Sequence, residues 1–280
     1  MSNAFGDSNW RAMSREQLDA GLNNGTAVAG SAEIANGWGQ RSDAMKAKYP
    51  AYLDIAYGPR ERNKFDLIKV AEGGPVLLLI HGGYWQMRSK DFFTCFAAGP
   101  IAHGINVAAI GYTLAPDATL DEIVAEVRAG VDALVDQAGK LGIDANRIVV
   151  SGWSAGGHLT ATTLSHPKVK GGVAISGIYD LEPIRASYLN EKLKLDEAMS
   201  KRQSPLMQDG PNKPLAIVAG GAELPILRQQ SADLAAYRAQ HGLPVSYEEI
   251  PGADHFSIMA ELEKPDGRIT ALIKDLVARI

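Results

Sequence analysis

Cysteine is almost absent from this chain, and long hydrophobic runs are absent altogether. Cys95 is the single cysteine among 280 residues, which excludes the internal disulfide framework that staples small secreted domains. No window of the sequence approaches the run of about 20 apolar residues that a membrane-spanning helix requires. Segment 1–7 also lacks the basic region and the apolar stretch of a signal peptide. We therefore expect a cytoplasmic protein that does not enter a membrane.

An excess of charge of either sign is missing as well. The 28 basic and 32 acidic residues give a formal net charge of −4 and are spread along the chain. That balance lacks the electrostatic footprint of a protein that binds nucleic acid or an anionic membrane. No metal-ligand spacing, phosphate-binding loop or dinucleotide fingerprint is present. We expect a small-molecule substrate, no metal and no cofactor, and the sequence leaves the oligomeric state, a homo-oligomer included, open.

Strand-like and helix-like segments alternate from about residue 50 onward. Val76–Ile80 is apolar at every position, as in parallel strands that are buried on both faces. This alternation predicts an α/β fold with a mostly parallel central sheet and helices on both faces. The predicted strands are Leu53–Tyr57, Phe65–Val70, Val76–Ile80, Val107–Ile110, Arg147–Ser151, Val173–Ser176, Leu215–Ala219 and Val245–Ile250. The predicted helices are Asp91–His103, Leu120–Val135, Ala155–Ser165, Leu227–Gln240 and Arg268–Ala278.

Two regions depart from the alternation. Residues 1–50 are helix-prone but weakly patterned, and residues 181–214 contain charged residues and prolines without an obvious strand. In α/β enzymes such excursions commonly fold over the C-terminal edge of the sheet, where ligands bind. Because 46% of the residues are hydrophobic, the chain can bury one substantial core. We expect a single domain over residues 1–280, with the N-terminal arm 1–50 and the insertion 181–214 as cap elements.

The most informative motif is Gly152–Gly157, which reads Gly-Trp-Ser-Ala-Gly-Gly. It lies directly between the strand-like Arg147–Ser151 and a helix-like segment. Glycines two positions before and two after Ser154 allow a strained turn that pushes the serine hydroxyl into the open. The backbone there begins a helix, whose unpaired amides favour negative charge beside the serine oxygen. The pattern predicts that Ser154 is a nucleophile.

A nucleophilic serine needs a base, and His255 is the predicted one. In this architecture the catalytic histidine comes last in the chain, and His255 lies just beyond the last predicted strand. The other histidines suit structural roles better: His241 ends a helix, and His158 lies one helical turn beyond the serine. His103 and His166 are typical of surface or loop positions.

An acid must orient that base, and Glu223 is favoured because it directly follows the strand Leu215–Ala219. The carboxylates between that strand and the base are Glu223, Asp233, Glu248, Glu249 and Asp254. Asp254 is the competitor. A residue adjacent to the histidine, however, usually points away from the ring nitrogen that it would have to hold.

The oxyanion donors are expected in the segment His81–Trp85, which reads His-Gly-Gly-Tyr-Trp and follows a predicted strand. Two glycines let the backbone approach a substrate closely. The amides of Gly83 and Tyr84, with Gly82 as a further candidate, are predicted to join the amide of Ala155 around one oxygen. Each donor of this kind is worth roughly 3 kcal/mol to the transition state.

Four motifs together carry a resemblance to a known family. They are His81–Trp85, Gly152–His158, Ser176–Leu181 and Asp254–Phe256. The chain resembles the kynurenine formamidase (arylformamidase) branch of the α/β-hydrolase fold from roughly Tyr57 to the C-terminus and, more distantly, the hormone-sensitive-lipase-like esterases. The resemblance implies an α/β-hydrolase fold and the triad Ser154, Glu223, His255. It departs from the family's animal members at Glu223, where they carry aspartate, and at Gly157, where they carry a different small residue.

These features predict a serine hydrolase that cleaves an aryl formamide of the N-formylkynurenine type, or a small ester or amide, through an acyl-enzyme. Tyr84, Trp85 and Trp153 flank the predicted site and are placed to form an aromatic wall that favours a flat aryl leaving group. One alternative is a general short-chain carboxylesterase with a promiscuous pocket. Another is a non-catalytic receptor of the same fold, although a pure binder needs no nucleophile, base, acid and oxyanion loop in register.

Overall fold

A single eight-stranded sheet organises the protein, and the computed structural model describes residues 9–280 of it. Residues 1–8, which include the segment compared above with a signal peptide, lie outside the described residues. The strands are β1 Ile55–Ala56, β2 Lys64–Ile68, β3 Gly74–Ile80, β4 Asn106–Ile110, β5 Ile143–Trp153, β6 Val169–Ile175, β7 Leu215–Gly220 and β8 Val245–Ile250. Their order is β1-β2-β4-β3-β5-β6-β7-β8, antiparallel only at the β1–β2 and β2–β4 pairs. The predicted mostly parallel sheet is confirmed, and each predicted strand overlaps an observed one.

Helices connect the strands. They are α1 Arg15–Gly21, α2 Asn24–Ala27, α3 Ser31–Lys48, α4 Ala98–Ile101, α5 Leu120–Asp136, α6 Ala138–Leu141, α7 Ala155–Thr163, α8 Glu182–Arg185, α9 Asn190–Leu193, α10 Glu197–Gln203, α11 Pro225–Gln240, α12 Ala260–Glu263 and α13 Arg268–Val277. Short 3-10 turns cover Trp10–Ala12, Pro50–Tyr52, Lys90–Phe92, Thr94–Ala97, Pro205–Met207 and Ser257–Met259. Among the described residues, no helix has both the length and the apolarity needed to cross a membrane.

The core lies on both faces of the sheet, and β3 shows why. Successive side chains of a strand point to opposite faces. Val76, Leu78 and Ile80 accordingly pack with α5, α7 and α11 on one face. Leu77 and Leu79 pack with α3 and α13 on the other. All five side chains are fully buried, so each contributes roughly 1.5–3 kcal/mol of transfer free energy that holds the helices against the sheet.

The predicted helix Asp91–His103 is wrong as one continuous element. The structure divides it into two 3-10 turns and α4. Long-range contacts compete there with the helical pattern, because the Cys95 amide donates a hydrogen bond to Ser42 Oγ on α3 at 2.9 Å rather than to the preceding turn. The side chain of Lys90 is meanwhile held by buried Asp66, with its ammonium nitrogen 2.8 Å from a carboxylate oxygen.

The fold brings the carboxyl ends of the parallel strands to one edge of the sheet. The loop that follows β3, Ser154 after β5, Ser176 after β6, Glu223 after β7 and His255 after β8 therefore meet there. In open α/β sheets this edge is where ligands bind. The site is thus assembled from loops whose positions are set by the buried sheet.

Candidate active site

Ser154 occupies a sharp turn between β5 and α7. Its backbone has φ 58° and ψ −120°, a conformation that a residue with a side chain adopts only when its surroundings enforce it. The Ser154 amide donates to the Ile175 carbonyl at 2.8 Å, and its carbonyl accepts from the Gly157 amide at 2.8 Å. A Cβ at Gly156 would collide with the carbonyl of Ile80, so glycine lets α7 begin directly against β3. The predicted strand–turn–helix is therefore present.

His255 and Glu223 lie together at this turn. His255 Nδ1 is 3.3 Å from Glu223 Oε2, and the two side chains are 3% and 0% exposed. Trp153 Nε1 donates to the His255 carbonyl at 2.6 Å, and the two rings are 4.7 Å apart. These contacts tie the histidine loop to the residue that precedes Ser154. Because Nδ1 faces the carboxylate, Nε2 is the ring nitrogen left for proton transfer.

Asp254 is occupied elsewhere. Its Oδ1 accepts the amides of Phe256 and Ser257, each at 2.8 Å, and so caps the turn that follows the histidine. Of the two candidate acids, the structure brings Glu223 to the imidazole and turns Asp254 to its own backbone. The physical reason is local, since an aspartate readily bonds to amides two and three residues ahead.

Ser176 supports the acid, and sequence reasoning assigned it no role. Its Oγ donates to Glu223 Oε1, which also accepts the Gly220 amide at 2.9 Å. Ser176 is fully buried and has φ 50°. The available indication was its place at the start of the motif Ser176–Leu181, directly after a strand. Two donors on one oxygen leave the other oxygen of Glu223 for His255.

Ser176→Ala is expected to lower kcat by about tenfold or more, because a hydrogen bond to a buried charged group is worth roughly 1.5–3 kcal/mol. KM should change little, since Ser176 acts through Glu223. Steady-state kinetics with p-nitrophenyl acetate measures both constants. Ser42→Ala is the control, because Ser42 is also a buried serine but its Oγ accepts the Cys95 amide, away from Glu223. This variant should be less stable without the same loss of kcat. Equal losses of kcat in both variants would contradict the role of Ser176.

The loop after β3 carries unusual backbone strain. Gly83 has φ 112°, and Tyr84, Trp85 and Arg88 have φ of 50°, 58° and 73°. Among residues 9–280, seven non-glycine residues have a positive φ, and five of them lie in this loop, at Ser154 or at Ser176. Such strain persists only where the surrounding structure over-determines it, and it clusters at functional sites.

The strained loop presents backbone amides to the site. Within the described part of the chain, the amides of Gly83, Tyr84 and Ala155 have no hydrogen-bond acceptor. Gly83 and Tyr84 line a cavity of about 250 Å³ together with Ser154 and His255. Gly82 packs beneath the loop against Trp153, and its carbonyl oxygen lies 2.8 Å from His81 Nδ1. The free amides of the loop are suited to hold a developing negative charge.

His81 supports the loop without a protonation role. Its ring stacks on Tyr112 at 4.1 Å, and the Tyr112 hydroxyl donates to its carbonyl at 3.0 Å. Complete burial lowers the pKa of His81 to about 3, because the interior disfavours the charged imidazolium. The ring is therefore neutral at physiological pH and braces the loop.

The three aromatic residues predicted at the site are not equivalent. Tyr84 and Trp153 line the cavity. Trp85 is fully buried, packs edge-on against His158 at 5.0 Å, and is not part of the cavity lining. Its ring is enclosed in the apolar cluster between the loop and α7, so it supports the loop rather than facing a ligand.

The N-terminal arm closes one side of this cavity. Asn24 and Ser31 are among the arm residues that line it. The Tyr84 hydroxyl donates to the Leu22 carbonyl at 2.5 Å and accepts from Asn24 Nδ2 at 3.2 Å. Tyr188, from the region 181–214, also lines the cavity. Both excursions predicted from the sequence therefore contribute residues to the cavity wall.

Arg88 is a further cavity residue that sequence reasoning missed. It lines the same space as Ser154, and its guanidinium carbon lies 5.7 Å from the Trp153 ring centroid. A lone arginine in a loop carries no pattern that distinguishes it from a solvated surface residue.

Comparison with known proteins shows which families and folds this chain is similar to. The family model BD-FAE matches residues 67–237. Kynurenine formamidase of Danio rerio is 32% identical over 244 residues, which cover 81% of this chain and 82% of that protein. Kynurenine formamidase of Salmo salar is 33% identical over 246 residues, with the same coverage. The crystal structure of a putative thioesterase from Silicibacter sp. TM1040 superposes with a TM-score of 0.83 at 28% identity, covering 92% of this chain and 98% of that one.

Proposed function

Because the chain belongs to the kynurenine formamidase family, we propose that it is a serine hydrolase of N-formylkynurenine-type aryl formamides, with Ser154 as its nucleophile. The predicted α/β-hydrolase fold and the predicted hydrolase activity on formamide or ester substrates are both confirmed by these relatives. The observation that carries the proposal is one buried array at the sheet edge: a strained serine, a histidine and a carboxylate 3.3 Å from that histidine.

In the first half-reaction, Ser154 Oγ attacks the formyl carbon while His255 Nε2 takes the hydroxyl proton. Glu223 holds the imidazole by Nδ1 and stabilises the imidazolium that forms. The amides of Gly83, Tyr84 and Ala155 hold the oxyanion. The C–N bond then breaks, and His255 returns the proton to the departing aryl amine.

In the second half-reaction, water attacks the formyl ester on Ser154. His255 takes a proton from this water and gives it to Ser154 Oγ as the ester bond breaks. The products are the regenerated serine and formic acid, which ionises to formate and a proton in solution, so protons and electrons balance without a cofactor. The same steps cleave an ester, with an alcohol in place of the amine.

We propose that the N-terminal arm acts as a cap that narrows the acyl side of the site. Support comes from the arm residues in the wall of the cavity and from the bond between Tyr84 and Leu22. Because the cavity is only about 250 Å³, we expect it to accept a formyl or acetyl group more readily than a longer acyl chain. Rejection of a longer acyl chain is steric and therefore steep.

The test is acyl-chain length. We expect kcat/KM for p-nitrophenyl esters to fall from acetate to octanoate, and an aryl formamide to be cleaved faster than its acetamide. Recognition of a methylene group in an apolar pocket is worth roughly 1–3 kcal/mol, so both trends are measurable. N-formylkynurenine assayed beside these esters decides between formamidase and esterase. Octanoate esters as the best substrates would contradict the narrow acyl pocket and favour a general carboxylesterase.

Labelling by a fluorophosphonate separates an enzyme from a receptor of the same fold, since the probe reacts only with an activated serine. Loss of the label in Ser154→Ala would locate the reaction at Ser154.

We propose the cytoplasm as the compartment. Cys95 is buried and free, and burial raises the pKa of its thiol to about 11. A protonated, enclosed thiol is chemically inert and fits a chain with no disulfide.

A further inference from the structure

Apart from His255 when it is protonated, Arg88 is the only described residue that brings a positive charge to the cavity that contains Ser154. The titratable side chains in the lining, within the described residues, are Arg88, His255, Tyr84 and Tyr188. No aspartate, glutamate or lysine of residues 9–280 contributes to this lining. An arginine cannot lose its proton at physiological pH, so this cavity carries a permanent positive charge.

That charge has no counter-ion within the described part of the chain. Among residues 9–280, the Arg88 guanidinium forms no ion pair and no side-chain hydrogen bond, whereas seven of the 14 arginines pair with a carboxylate. Burial lowers the pKa of Arg88, and no acid among the described residues offsets this effect. A partly desolvated cation without a partner is costly, and a ligand anion would remove that cost.

The side chain is nevertheless held in place. Its guanidinium carbon lies 5.6, 5.7 and 5.8 Å from the ring centroids of Trp38, Trp153 and Phe256. These separations lie within the range of cation–π attraction. The Arg88 backbone has φ 73°, and its carbonyl accepts from Arg62 Nη2 at 2.5 Å. The aromatic rings orient the guanidinium and leave its five N–H donors for a ligand.

We propose that Arg88 binds a carboxylate of the substrate, so that the enzyme selects aryl formamides that carry a carboxylate. The carboxylate belongs to the leaving amine, because a formyl group carries no ionisable atom. A planar guanidinium matches a carboxylate with two parallel hydrogen bonds. N-formylkynurenine has one such carboxylate. The inference rests on the proposed function and adds to it the residue that recognises the substrate carboxylate.

The experiment compares N-formyl-L-kynurenine with the analogue whose carboxylate is replaced by a carboxamide. We expect wild type to prefer the carboxylate in kcat/KM by roughly 10- to 100-fold, the range for a hydrogen bond to a charged group. Arg88→Met should bring this ratio close to one, mainly by raising KM for the carboxylate. Arg88→Lys should keep an intermediate ratio, because it retains the charge without the planar fork.

Arg41→Met is the matched control. It removes the same charge from an exposed pair with Glu263 on the surface and should leave the selectivity ratio unchanged. Absence of a carboxylate preference in wild type would overturn the inference even if Arg88→Met failed to fold. The inference would also be overturned if Arg88→Met lowered kcat/KM for the carboxylate and the carboxamide equally. An unchanged selectivity ratio would mean that the substitution only damages the loop.

Neutral p-nitrophenyl acetate separates a failure of the inference about Arg88 from a failure of the proposed hydrolase function. If wild type cleaves it but shows no preference for the carboxylate, only the inference about Arg88 fails. If wild type cleaves neither this ester nor either formamide, the proposed function fails and the role of Arg88 fails with it.

Discussion

Ser154→Ala is expected to lower kcat by about 10⁵- to 10⁶-fold while the protein still folds. Removal of Oγ abolishes the acyl-enzyme, and only the oxyanion donors and substrate binding remain. The fold should persist, because the contacts that hold the turn are made by the Ser154 backbone. Stopped assays at high enzyme concentration measure the residual rate, and thermal unfolding checks the structure.

Ser151→Ala is the matched control for this variant. Ser151 lies three residues earlier, on β5, and its buried Oγ donates to the Val173 carbonyl at 2.7 Å. It should lose some stability, by about 1 kcal/mol, and retain nearly all activity. Activity of Ser154→Ala close to that of wild type would remove Ser154 from the mechanism.

Glu223→Gln is expected to lower kcat by about 10⁴-fold, as neutralisation of a triad acid does elsewhere. An amide in place of Oε2 offers a donor to His255 Nδ1, which then favours the wrong tautomer. The Gln side-chain oxygen can still accept the bonds from Gly220 and Ser176, so folding should be retained. Activity is compared at saturating substrate, with circular dichroism as the folding check.

Asp254→Asn is the contrast that makes the assignment of the acid testable. An asparagine oxygen can still accept the amides of Phe256 and Ser257, so we expect a loss of less than about tenfold. Glu223→Asp should retain more activity than Glu223→Gln because it keeps the charge. A larger loss in Asp254→Asn than in Glu223→Gln would transfer the role to Asp254.

The strands were predictable because burial imposes a simple pattern on them. A segment such as Val76–Ile80, enclosed by helices on both faces, has no position left for a polar side chain. The region 91–103 was not predictable in the same way. The Cys95 amide bonds to Ser42 on α3, and the adjoining Lys90 bonds to Asp66 on β2. No local pattern encodes a partner that lies tens of residues away.

Within the candidate site, the turn at Ser154 and the loop 82–85 were found from the sequence because their backbones make local demands. Because α7 begins directly against β3, glycine is required at Gly156, close to Ser154 in the chain. This requirement is therefore visible in the local sequence. Trp85 shows the limit of that reasoning. The sequence shows that Trp85 adjoins the predicted oxyanion donors. It does not show that the Trp85 ring is buried against His158, because that depends on how the loop packs on α7.

The sequence by itself determined the α/β class, the positions of the strands along the chain, and Ser154 and His255 as the candidate nucleophile and base. These features depend on hydrophobic periodicity and on short motifs. Only the tertiary structure decided that Glu223 rather than Asp254 meets His255 and that Ser176 bonds to the Glu223 carboxylate. It also decided that Arg88 lines the cavity with no counter-ion among the described residues. The reason is physical. Backbone conformation is set by neighbours in sequence, whereas a hydrogen bond, an ion pair or the lack of one depends on which distant side chains the packed core brings within about 3 Å.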